Sequence, residues 1–108
     1  MSKKVLELNV NDFDQEVMSS DRLVVVDFWA QWCGPCKILS PIMDNLSETF
    51  ENKVKIAKVN VDEQPELTTR FKIMSLPTIL FFKDGEIIEK IVGMRNEADL
   101  QKTIEKHL

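Results

Sequence analysis

The chain of 108 residues has only two thiols, Cys33 and Cys36, and they bracket Gly34-Pro35. Three residues apart in a helical turn, two Cα atoms lie about 5–6 Å apart, inside the range that a disulfide accepts. Such a pair can close and open without large backbone movement. Pro35 suits the first turn of a helix, where a missing N–H costs nothing. Cys33 then falls at the helix N-terminus, where unsatisfied N–H groups and the helix dipole favour an anion. A thiolate held there has a lowered pKa, and the thiolate is the form that attacks disulfides. Cys36 lies one turn deeper, is expected to be more shielded, and is placed to attack a mixed disulfide formed on Cys33. The spacing therefore points to thiol–disulfide exchange.

Two plainer readings compete. A Cys-x-x-Cys pair is also half of a zinc site, but zinc takes four ligands and the only other candidate of that kind is His107. No metal site is expected. Two inert core cysteines are the second alternative, and the placement at a helix start argues against it. Around the pair stand other residues that chemistry could use. Asp27 directly follows the apolar run Leu23-Val24-Val25-Val26, so its carboxylate should be desolvated and its pKa raised. It could accept the proton of Cys36, or simply cap or pair locally. Lys58 shares strand parity with Val54 and Ile56 and so points inward with them, where Asp27 is its candidate counter-charge, unless it snorkels out at the strand end. Trp29 continues the apolar strand and reads as core, while Trp32 precedes the thiol in a loop and reads as contact surface.

The elements that must position these residues follow from periodicity. Residues 4–8 alternate as a short strand, and Asn11-Asp12 offer caps for a helix through Phe13, Val17 and Met18. Residues 23–30 are near-continuously apolar and β-branched, the pattern of a strand buried on both faces. Ile38, Leu39, Ile42, Met43, Leu46 and Phe50 recur at helical spacing over residues 34–50, with Pro41 expected to kink that helix. A strand over 54–61, a short helix over 64–71 with Pro65 in its first turn, and a strand over 78–82 come next. The turn Lys83-Asp84-Gly85-Glu86 closes a hairpin onto a strand over 87–92. Asn96 caps a last helix carrying Leu100, Ile104 and Leu108. The order β-α-β-α-β-α-β-β-α implies an α/β fold with about five strands in one mixed sheet. It is parallel early, antiparallel at the final hairpin, and has helices on both faces. Pairing order does not follow from pattern.

Length fits one domain spanning residues 1–108, and 44% hydrophobic residues suffice for a core without metal or disulfide staples. The net charge of −4 comes with no basic stripe, so nucleic acid is an unsuitable partner. No apolar run approaches the ~18 residues of a membrane span. The opening residues lack a continuous apolar stretch of the signal-peptide kind, which implies a reducing cytoplasm. With three glycines and no Gly-rich loop, no dinucleotide site is expected.

Trp32-Cys33-Gly34-Pro35-Cys36-Lys37, preceded by Asp27-Phe28-Trp29-Ala30 and followed by Pro41, resembles the thioredoxin family. The resemblance extends through Lys58, Asn60-Val61-Asp62, Leu76-Pro77-Thr78, Gly85 and Val92-Gly93, which covers nearly the whole chain. Gln31, Leu76 and Ser75 are mild departures, and there is no tyrosine, so phenylalanines must carry the aromatic packing. The resemblance implies a thioredoxin fold and a reductase of protein disulfides, with Cys33 as nucleophile and Cys36 as resolving thiol. Asp27 would be proton acceptor, tuned by Lys58. It implies a cis Pro77 beside the cysteines, with the Leu76 backbone free to pair with a substrate strand. Trp32, Gly34, Pro35, Leu76, Pro77, Gly93 and Met94 would line the substrate surface, though Met94 reads equally as core filler. No bound cofactor is implied beyond the Cys33–Cys36 pair. Disulfide-containing proteins would be substrates, an NADPH-dependent thioredoxin reductase would return the electrons, and the protein would act as a monomer. An oxidant or isomerase on the same fold, and a binding module that ignores the thiols, are the rival readings.

Overall fold

The structure is a computed structural model describing residues 4–108; residues 1–3, part of the opening segment read for a leader, lie outside it. Its centre is β2 (Leu23–Trp29), flanked by β3 (Val54–Asn60) on one side and β4 (Thr78–Lys83) on the other. β1 (Leu6–Glu7) and β5 (Glu86–Val92) are the edges, giving the order β1-β3-β2-β4-β5. β1 and β2 run parallel to β3, whereas β4 is antiparallel to both β2 and β5. The reversal therefore begins one strand earlier than the hairpin from which it was expected. β1 is also shorter than its alternating pattern suggested.

The apolar run of β2 is explained by this central position, because both of its faces are covered. Leu23 and Val25 point to one face, where α1 (Gly34–Thr49) and α3 (Glu97–Lys106) contribute Leu39, Met43, Leu46, Leu100 and Ile104. Val24, Val26 and Phe28 point to the other, against Phe13, Val17 and Leu67. Leu67 comes from α2 (Pro65–Arg70). Phe71 sits within ring contact of Phe13, Phe28 and Phe82 on that second face, so phenylalanines do supply the aromatic packing of a chain without tyrosine. Strand alternation places Asp27 on the first face, underneath α1.

Local chemistry sets the ends of these elements. The segment expected to be a helix capped by Asn11-Asp12 is instead a wide π turn at Asp14–Met18, closed by Ser19 N–H to the Asp14 carbonyl at 3.0 Å. Its lead-in is organised by Asn9, whose Oδ1 accepts from the N–H of Asn11 and Asp12, while Asp12 Oδ1 accepts from Asn9 N–H. Asp84 and Gly85 both take positive φ in the β4–β5 turn, the conformation that an Asp-Gly pair supplies most easily. Asn96 Oδ1 accepts from Asp99 N–H at 2.8 Å and starts α3 as expected, but that helix ends before Leu108, which is exposed. α1 runs on through Pro41, whose ring removes the N–H that would have bonded to Lys37. Among the described residues no helix is long and apolar enough to cross a membrane.

Candidate active site

The site forms where the C-terminal ends of β2, β3 and β5 meet the start of β4. β2 hands over to α1 through Ala30-Gln31-Trp32, with Cys33 N–H bonded to the Ala30 carbonyl at 3.1 Å. Cys33 is the N-cap of α1, and its Sγ accepts the Cys36 N–H at 3.2 Å. Cys33 and Cys36 are joined as a disulfide across a Cα separation of 5.3 Å. The helix start thus holds the outer sulfur where orphan N–H groups point. The expected difference in shielding is small in this oxidised form, since both cysteines are buried.

Beneath the pair, Asp27 is buried and faces α1. Burial pushes its pKa up from 3.8 to about 7, against the smaller opposing pull of Lys58. Lys58 is the residue directly across from Asp27 in the β2–β3 register, as its parity suggested. Its ammonium does not form an ion pair with Asp27, however, but lies 5.3 Å above the Trp29 ring centroid. Asp27 Oδ1 and Trp29 Nε1 are both buried without a hydrogen-bond partner among the described residues. Both line a pocket of about 360 Å³ that is also lined by Lys58 of β3 and by Cys36, Lys37, Ser40, Pro41 and Asp44 of α1. Asp27 and the inner sulfur therefore open onto one cavity, across which a water can carry a proton. Trp29, expected in the core, is half-buried and forms a wall of this cavity.

The outer face carries the remaining candidates. The Leu76–Pro77 peptide is cis, as the resemblance implied. The Leu76 side chain packs against Ala30, Cys33 and Cys36, and no backbone hydrogen bond among the described residues uses its N–H or carbonyl. The Pro77 carbonyl accepts from Gly93 N–H at 2.8 Å, which ties the start of β4 to the end of β5. Gly93 has φ of +93°, and Gly93 and Gly34 both have open space where a Cβ would lie. Trp32 is 70% exposed and pinned by its Nε1–H to Asp62 Oδ2 at 2.9 Å. Met94 is half-buried, packed on one side against the α1–α3 core.

A family model described as thioredoxin matches residues 4–106. The chain belongs to the thioredoxin family. It is 45% identical over 96 residues to "Thioredoxin 1" of Nostoc sp., covering 89% of this chain and 90% of that one. It is 41% identical over 104 residues to "Thioredoxin" of Staphylococcus saprophyticus, covering 96% and 98%. A third relative is "Thioredoxin M-type, chloroplastic" of Spinacia oleracea, 42% identical over 106 residues, covering 98% of this chain and 59% of that one. With its cysteine pair at disulfide distance, this thioredoxin-family chain is a protein thiol–disulfide oxidoreductase.

Several thioredoxin site features were not read from the sequence. Lys37, Ser40 and Asp44 share one face of α1 at helical spacing, the signal by which they could have been grouped. Asp62 as the anchor of Trp32 had no local signal, because the partners are thirty residues apart. The disulfide itself closes a ring of only four residues, so its chain-entropy contribution is of the order of ~2 kcal/mol. The two-faced core should hold the fold without it. Urea unfolding in dithiothreitol should remain cooperative, with a midpoint only modestly lowered. Loss of the cooperative transition would mean that the disulfide, not the core, holds the domain.

Proposed function

We propose that this chain is a reductant of protein disulfides and that residues 1–108 form one domain sufficient for it. The observation that carries the reading is the division of labour around the sulfurs: one caps the helix, and the other shares a cavity with a carboxyl group of near-neutral pKa. In the reduced form the Cys33 thiolate attacks one sulfur of a substrate disulfide and expels the other as a thiolate, leaving a mixed disulfide on Cys33. Ionised Asp27 then takes the Cys36 proton through water. The Cys36 thiolate attacks Cys33 Sγ and expels the second substrate thiolate. Two electrons have moved to the substrate, and the Cys33–Cys36 disulfide remains.

Lys58 tunes Asp27 from the neighbouring strand. Trp32, Gly34, Pro35, Leu76, Pro77 and Gly93 form the surface against which an extended substrate segment lies, with the Leu76 backbone as its pairing edge. The role of Met94 is packing behind that surface. No cofactor is bound; an NADPH-dependent thioredoxin reductase restores the dithiol. The protein works as a monomer in a reducing cytoplasm, with neither nucleic acid nor membrane as partner.

The test is insulin reduction with NADPH and a bacterial thioredoxin reductase. NADPH consumption that requires both proteins and insulin is the expected result. An oxidant would instead be held as the dithiol by a glutathione buffer at cytosolic poise, because its potential lies well above that poise. A binding module would give no turnover.

A further inference from the structure

The geometry points to Met74 as a peroxide-sensitive modification site: its conversion to methionine sulfoxide weakens the docking of protein substrates and leaves the disulfide chemistry intact. The proposal rests on the substrate surface described above. Met74 is 92% exposed, the highest exposure among the large apolar side chains of the described residues. Met43 is buried and Met18 and Met94 are half-buried against the two cores.

The exposure is imposed by the surrounding loop. Ile73 N–H bonds to the Thr68 carbonyl at 3.0 Å, and Thr78 Oγ1 donates to the Ser75 carbonyl at 2.6 Å, so the backbone is tied on both sides of Met74. Ile73 and Leu76 both pack inward, which leaves Met74 outward between them. Leu76, two residues on, touches the cysteine cluster. An unbranched, polarizable side chain held into solvent two residues from one that packs on the cysteine cluster suits an adaptable contact with many protein surfaces. The same exposure leaves its thioether open to oxidants.

In the reaction the thioether sulfur donates a lone pair to one oxygen of hydrogen peroxide. A new S–O bond forms, the O–O bond breaks, and the displaced oxygen leaves as water after proton transfer. The sulfur loses two electrons and the peroxide gains them. The product replaces an apolar contact by a strong dipole that must be desolvated when a protein substrate docks. A small disulfide reaches Cys33 without covering this loop and pays no such penalty.

The test starts from the disulfide form, whose cysteines offer no thiol to peroxide. Wild type and Met74→Leu are treated with hydrogen peroxide, mapped by peptide mass spectrometry and re-reduced with dithiothreitol. Each is then assayed on insulin and on a small aromatic disulfide, relative to its own untreated sample. The peptide carrying Met74 should gain one oxygen first. For wild type the KM for insulin should rise about five-fold, the size of losing one peripheral apolar contact. Its small-disulfide rate should not change, and Met74→Leu should keep both ratios at one. Earlier oxidation of another methionine overturns the proposal. So does full oxidation of Met74 without effect, an equal loss with both substrates, or an equal loss in Met74→Leu. Untreated protein that reduces the small disulfide but not insulin would overturn the reading of the substrate surface itself, and the docking effect with it.

Discussion

Cys33→Ser should lower protein-disulfide reduction by at least about 10³-fold, whereas Cys36→Ser should capture substrates as stable mixed disulfides. The asymmetry follows from where α1 places each sulfur. Cys33 caps the helix, and its Sγ receives the Cys36 N–H, so a negative charge there is met by a donor and by the helix dipole. A serine hydroxyl in that place is almost wholly protonated near neutral pH and cannot attack a disulfide at a comparable rate. Cys36 lies inside the first turn, lining the inner cavity. Without it, the first exchange proceeds and the second has no nucleophile, so the covalent intermediate accumulates. In the reduced wild type, iodoacetamide should accordingly modify Cys33 far faster than Cys36 at neutral pH. Equal alkylation of the two sulfurs, or equal trapping by the two serine variants, would remove the assignment of nucleophile and resolving thiol.

The ease with which this pair is read from sequence has a physical basis. A buried strand followed by Cys-Gly-Pro-Cys and a long amphipathic run leaves one local solution, because burial on both faces and helical period act on neighbouring residues. The Asp84-Gly85 turn and the Asn96 cap are legible for the same reason: backbone conformation at those positions depends on one or two side chains. Long-range choices are less accessible. Nothing in the period of β4 dictates that it pairs antiparallel to β2, a choice made between residues some fifty positions apart in the chain. Asn9 outcompetes Asn11-Asp12 because its carboxamide bonds both of their N–H groups, a choice that propensity does not rank. Trp29 belongs by pattern to the buried strand, yet as the last residue of β2 it lies beyond the covering side chains and becomes a cavity wall. Parity did place Lys58 beside Asp27. It could not say that the ammonium would rest on the Trp29 ring instead of the carboxylate.

That arrangement leaves Asp27 poorly stabilised when it ionises, so removing it should raise stability and lower activity together. In the native state the carboxyl group titrates at about 7, against 3.8 as its ordinary value. Between these limits the folded chain holds a proton that the unfolded chain has released. Stability therefore falls as pH rises from about 4 to about 7, and the full effect is in place above that window. The interval corresponds to roughly 4 kcal/mol as an upper scale, reduced wherever water enters the cavity beside Asp27. Asp27→Ala should unfold at a higher urea concentration than wild type at pH 8, with the two curves converging near pH 4. The same substitution removes the proton acceptor for Cys36, and the resolving step should slow by about ten-fold or more. Wild type should also gain rate through pH 7 as Asp27 ionises, an inflection that the variant lacks. Urea midpoints from pH 4 to pH 8, paired with single-turnover release of substrate from the mixed disulfide, measure both effects. A variant that is less stable at pH 8 and resolves at the wild-type rate would make Asp27 a structural anchor, with proton transfer passing to bulk water.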